Sequence, residues 1–221
     1  MLNRTYRMLA TALCCGTTAG LAGADLVTNG GFELSDIATD TSTDADTALS
    51  GWTVTRALDG TGGASNVFLH DGGFFGVSLT GAVAPGTNEA REGSQYVAFN
   101  ANQGSGSGVL SQDLATAVGL EYTVEFSIAG AFSAGQQSVT VDAGGINSLT
   151  QSATDGEWTT HTFNFVATGT TTTLSISDNL GAGSSIDNDL LIDAVSVNQV
   201  PEPGSLALLG LGGLFIARRR K

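Results

Sequence analysis

An all-β sandwich is the fold class this sequence predicts, and three observations carry the prediction. Apolar and polar residues alternate at period two through at least eight short runs, bounded by Gly, Asn, Asp and Ser. Glycine is abundant at 31 of 221 residues while proline numbers only 3, which suits tight turns between short strands. Between residues 25 and 200 no stretch holds a 3.6-residue apolar period over three turns. Many short strands separated by turn residues close into a sandwich or jelly roll.

The chain opens with a processing signal. Arg4 and Arg7 precede a mostly apolar segment at 8–21, and Ala22-Gly23-Ala24 forms an A-x-A cleavage signature. Residues 1–24 therefore read as a signal peptide, and the mature chain is expected to start at Asp25. Both cysteines, Cys14 and Cys15, fall inside this segment. A lipoprotein signal would place a small residue before the cysteine, and Leu13 or Cys14 stands there instead. An exported body without cysteine relies on its core or on metal rather than on crosslinks.

The body at 25–199 reads as one domain. Its clearest strand is EYTVEFSI at 121–128, where Tyr122, Val124, Phe126 and Ile128 share one face and Thr123, Glu125 and Ser127 the other. Similar runs cover 51–58, 95–100, 109–114, 138–142, 158–167, 171–177 and 189–198, with a weaker one at 74–80. Two segments break the rhythm and read as loops: the acidic 35–50, and the glycine-rich 59–76, which carries Asn66, His70 and Asp71. Loops at one end of a sandwich commonly carry binding function.

Charge narrows the partners. The net charge is -13, and six of the eight basic residues sit at the two ends; only Arg56 and Arg91 lie within 25–200. Such a body repels nucleic-acid phosphates and other polyanions, and suits neutral sugars, cations or a salty exterior.

The motifs fall in a defined order: LVTNGGFE at 26–33, GWTV at 51–54, EGSQYVA at 92–98, LSQDL at 110–114, YTVEF at 122–126, Trp158 with Phe163 and Phe165, and LIDAVSV at 191–197. The series resembles the galactose-binding-like jelly-roll domains of carbohydrate-binding modules and of cell-wall proteins that begin with an NGxFE motif followed by GW. At 200–221 the chain reads VPEPGSLALLGLGGLFIARRRK. The Pro201, Glu202, Pro203 motif, one apolar segment and the cluster Arg218, Arg219, Arg220 resemble a PEP-CTERM sorting signal. That resemblance implies processing by a membrane exosortase, transient anchoring in the inner membrane, and a role at the cell surface or in an exopolysaccharide or biofilm matrix. Thirteen residues at 205–217 rise only about 20 Å as a helix, short of the roughly 30 Å hydrocarbon core. Flanking arginines stay cytoplasmic and extend the span by snorkelling. An ordinary C-terminal transmembrane helix is the alternative.

Candidate chemistry is sparse. There is no nucleophile elbow, zinc-protease motif or phosphate loop, so a non-catalytic protein is expected; abundant carboxylates leave a glycoside hydrolase pair open. His161 shares strand parity with Phe163 and Phe165 and reads as partly buried. In LIDAVSV, Asp193 shares a face with Leu191, Val195 and Val197, although Ile192 and Ala194 are the alternative inward set. A carboxylate facing a core needs a hydrogen-bond network or a cation. The galactose-binding-like resemblance implies a structural calcium where the first and last strands meet, at positions matching Glu33 and Asp193. For sugar binding, Trp52 and Trp158 look like core landmarks. Phe74 and Phe75, with His70 in the same glycine loop, are the expected ligand-contacting residues, and a neutral polysaccharide the expected ligand. A matrix component without any small ligand is the competing expectation.

Overall fold

The computed structural model describes residues 24–35, 37–45, 49–55, 67–100, 108–132, 137–179 and 189–201. Of the signal peptide only Ala24 is among them, and of the sorting signal only Val200 and Pro201; Glu202, Pro203 and the arginines lie outside. No helix among the described residues is long and apolar enough to cross a membrane.

Among the described residues eleven strands follow one another along the compact unit Gly23–Val200. They are β1 (Ser42–Asp44), β2 (Thr53–Thr55), β3 (Val67–Asp71), β4 (Gln95–Asn100), β5 (Val109–Ala115), β6 (Glu121–Ala131), β7 (Ser138–Ala143), β8 (Asn147–Ser152), β9 (Thr159–Val166), β10 (Thr171–Asp178) and β11 (Asp189–Gln199). A six-stranded sheet has the order β1-β3-β4-β11-β6-β9, and a five-stranded sheet the order β2-β5-β10-β7-β8. Every strand pairing in both is antiparallel.

Period-two alternation builds the layer between the sheets. Val67, Leu69, Val97, Phe99, Val124, Phe126, Ile128, Leu190 and Ile192 from the larger sheet meet Leu110, Leu114, Val139, Val141, Leu174 and Ile176 from the smaller one. Each such fully buried side chain contributes about 1.5–3 kcal/mol. Trp52 joins this core, its Nε1 donating to the Asn29 carbonyl at 2.9 Å. His161 on β9 is half-buried, 3.1 Å from Thr159 Oγ1, and burial lowers its pKa.

The outer face of the larger sheet holds a second apolar cluster: Tyr96, Ala98, Ala129, Ala131 and Leu191, with Leu79, Ala90 and Trp158 over them. The cover is the connection from Gly72 to Ser94, a strap that folds back across the sheet. Thr80 exchanges backbone hydrogen bonds with Gly156 and Trp158, and Glu89 N donates to Gly72 O.

Three expectations need correction. The acidic segment at 35–50 contains β1, and the glycine-rich segment at 59–76 contains β3, so neither is loop throughout. β3 escaped notice because both of its faces are covered; VFLHD lacks the polar alternation of a half-solvated strand. The weak run at 74–80 is not a strand; only Thr80 forms an isolated bridge, to Glu157. β8 also went unread, being a polar edge strand with only Leu149 packed toward the core.

β11 is the central strand, flanked by β4 and β6. Its pairing with β6 runs to Gln199 opposite Tyr122, and Val200 N donates to Glu121 O at 2.8 Å. A bulge breaks the register between Asp193 and Ser196, with Ala194 left-handed at φ 53. That bulge corrects the reading of LIDAVSV. Leu191 and Asp193 point to the outer face, whereas Ile192, and beyond the bulge Val195 and Val197, point into the sandwich.

Candidate functional site

Two regions on the larger sheet concentrate polar and aromatic groups. The first is where the ordered motifs meet. Asp193 is fully buried and accepts three backbone hydrogen bonds: Oδ2 from Arg91 N (2.8 Å) and Glu92 N (3.0 Å), Oδ1 from Ala194 N (2.6 Å). Burial pushes its carboxyl well above the usual carboxylate range, against the pull of those amides. Glu33 Oε1 accepts from Ser94 N (2.8 Å) and Gln95 N (2.7 Å). Ser94 Oγ lies 2.9 Å from Asp71 Oδ2 and 3.2 Å from Glu33 Oε2, and its single proton serves one of them. Glycines make the close approach workable. A Cβ at Gly30 would fall 1.8 Å from Val195 O, and one at Gly93 (φ +60) would fall 2.3 Å from Glu33 Oε1. NGGFE, EGSQ and LIDAV are thus one junction, tying the N-terminal segment to the bulge of β11.

The two residues expected to hold calcium are engaged here with backbone amides. The ion takes oxygen ligands with free lone pairs, six to eight of them. Both Asp193 oxygens and Glu33 Oε1 are already turned to amide hydrogens. Among the described residues no three His, Cys, Asp or Glu side chains are grouped to hold a metal ion. Three amide hydrogen bonds answer the need of the buried Asp193 carboxyl.

The second region is aromatic and lies under and around the strap. His70 is on β3, not in a loop, and is 3% exposed. Its ring stacks on Tyr96 with centroids 5.5 Å apart and meets Phe74 at 4.4 Å, Phe75 at 4.8 Å and Phe68 at 6.1 Å. Neither ring nitrogen has a hydrogen-bond partner, and burial lowers its pKa to about 3, so the imidazole is neutral. Orphaned buried nitrogens cost about 1–3 kcal/mol. Phe75 sits edge-on between Phe74 (5.2 Å) and Phe132 (5.6 Å). Phe74 and Phe132 are 42% and 49% exposed, an open aromatic edge on an otherwise buried stack.

A buried carboxylate fixes the strap there. Glu89 is 0% exposed; Oε2 accepts from Phe75 N (3.0 Å) and from the Tyr96 hydroxyl, and Oε1 from Val77 N (2.8 Å). Burial, and next the bond to Glu89, push the Tyr96 phenol above its usual range, so it stays a donor. Trp158 closes the other side, its Nε1 donating to Glu89 O at 2.8 Å. The structure therefore brings together His70, Phe74 and Phe75 in one cluster. It places Glu33 and Asp193 in the other.

Sequence reasoning missed Phe132 and Glu89. Phe132 follows a strand end with no pattern to mark it, and Glu89 is a lone acid in an irregular stretch. The only available signal for either was the aromatic count of the segment they serve.

Residues 25–198 match the family described as "Protein of unknown function (DUF642)", and the chain belongs to that family. Residues 199–221 match the PEP-CTERM protein-sorting motif, which implies export to the cell surface and processing by an exosortase. No curated protein sequence matches the chain. Among solved structures, TmCBM61 in complex with β-1,4-galactotriose is similar at a TM-score of 0.52 and 20% identity, over 80% of this chain and 99% of that one. The apo form of a cyclase from Fischerella sp. is similar at 0.54 and 17% identity, over 83% and 98%. These likenesses show the fold: a jelly-roll sandwich of the carbohydrate-binding-module kind.

Proposed function

We propose that this DUF642 chain is a non-catalytic surface or matrix protein that binds neutral polysaccharide along the aromatic edge at Phe74. Phe74 carries the reading: a ring 42% open to solvent yet braced by His70 and Phe75 at 4.4 and 5.2 Å. A fixed, exposed aromatic face suits the apolar face of a sugar ring, because little side-chain entropy is lost on contact. The acidic body turns away polyanions, leaving uncharged chains as the ligand class. The similar TmCBM61 structure holds a neutral galactotriose, which agrees with that class. Delivery by the sorting signal then places the sandwich in an exopolysaccharide or biofilm matrix, after brief anchoring by the tail.

The test uses residues 25–200, a compact unit by itself. Affinity electrophoresis through neutral galactan, glucan and arabinan gels should retard the protein, and Phe74→Ala should restore its free mobility. Unretarded migration in every gel would favour a structural matrix component instead. Release of reducing ends from any of these polymers would favour the hydrolase alternative.

A further inference from the structure

Phe132 is the least expected residue near Phe74. Its backbone is left-handed at φ 67, a conformation that a bulky side chain adopts at a cost of about 1–2 kcal/mol. Its ring is nevertheless 49% exposed, so only about half of a phenylalanine's burial energy is there to offset that cost. What the strained backbone achieves is placement: the ring meets Phe75 edge-on at 5.6 Å and an interplanar angle of 78°. Phe74 meets the same Phe75 at 5.2 Å and 80°. Strain retained at a ring left half open points to function.

Resting on the glycan-binding reading above, we infer that the site has two contact rings, Phe74 and Phe132, spaced by Phe75 and held in register by the buried Glu89 carboxylate. Two open rings on one rigid spacer recognise more than one sugar unit. The ligand is therefore a chain of neutral sugars rather than a single terminal residue. Glu89 is a positioning residue: it touches no ligand, but its bonds to Phe75 N, Val77 N and the Tyr96 hydroxyl fix where the first ring stands. Tyr96 in turn lies beneath His70, so ring and strap are braced on the same strand pair.

Binding of residues 25–200 to galactose, to β-1,4-galactotriose and to whichever neutral polymer retards it in the gels tests the inference. Asparagine tolerates a left-handed backbone, so Phe132→Asn should leave the melting temperature nearly unchanged. It should weaken polymer binding about tenfold, the scale of one lost aromatic contact. Glu89→Gln should cause a similar loss and should speed amide exchange at Phe75 and Val77, while amides of β6 and β11 stay protected. Wild-type affinity for a single sugar matching that for the chain would overturn the two-ring site. Full binding by Phe132→Asn, with Phe74→Ala inactive, would remove Phe132 and leave the glycan reading standing. Slow exchange at Phe75 and Val77 in Glu89→Gln would remove Glu89 from its positioning role. Absence of any polymer binding by the wild type would end both readings.

Discussion

The motif junction and the aromatic strap lie on the same sheet and differ in what they leave open: Asp193 at the junction is fully bonded, whereas His70 under the strap is not. At the junction, Asp193 has three amide donors and Glu33 two, and glycines admit the contacts. Under the strap, His70 is buried with both nitrogens orphaned, and two phenylalanines remain open to solvent. Satisfied carboxylates at the meeting point of three segments hold a fold in register. Unsatisfied imidazole and open rings cost stability and are retained where a surface has other work. In this molecule the ordered motifs mark architecture, and the open aromatic edge at Phe74 and Phe132 stands outside them.

The largest effect should come from breaking the junction. Asp193→Ala strands the amides of Arg91, Glu92 and Ala194 and should cost about 3 kcal/mol or more in urea unfolding. Gly30→Ala should be comparably damaging, because its Cβ has no room beside Val195 O. A loss below about 1 kcal/mol for both would mean the junction is not what fastens the N-terminal segment.

A smaller change should separate the two regions by pH. The folded pKa of His70, about 3, lies below the unfolded value of 6.5. Its contribution is therefore present above pH 6.5 and is lost as the pH falls toward 3, at about 1.4 kcal/mol per unit. Asp193 works in the opposite sense: its raised folded pKa gives a contribution present below about pH 3.9 and lost as pH rises through the folded value. His70→Leu removes two orphaned nitrogens, so it should gain about 1 kcal/mol at neutral pH. It should also flatten the stability loss between pH 6 and 4, read from unfolding midpoints. An unchanged acid limb would show that His70 is protonated or hydrated in the fold.

The smallest expected effect is from chelation. With the Asp193 oxygens and Glu33 Oε1 held by backbone amides, excess EDTA should move the melting temperature by no more than about 1 °C. A drop of several degrees would mean that a metal stabilises the sandwich.

Much of the sandwich was legible because β5, β7, β9, β10 and the first half of β6 have one face toward the core and one toward solvent. β3 was not, since the strap covers its outer face and erases the alternation. The face of Asp193 was lost to a bulge at Ala194, a residue whose left-handed backbone nothing in its chemistry announces. Phe74, Phe75 and His70 are near in sequence and their rings meet in the fold, although His70 is buried rather than exposed in a loop. Phe132 and Glu89 reach the same place only through the fold, and a lone Phe or Glu carries no periodic mark.

The last strand has a mechanical consequence. β11 is paired on both edges, its pairing with β6 continues to Gln199, and the sorting motif begins at that residue. Val200 is still bonded to the sheet, through Glu121 O. A pull on Pro201 is a load along β11, and the ladder bonds lie perpendicular to that axis. Tension therefore shears many rungs together instead of peeling them one by one. A load entering at Val200 is carried first by β11 and its neighbour β6.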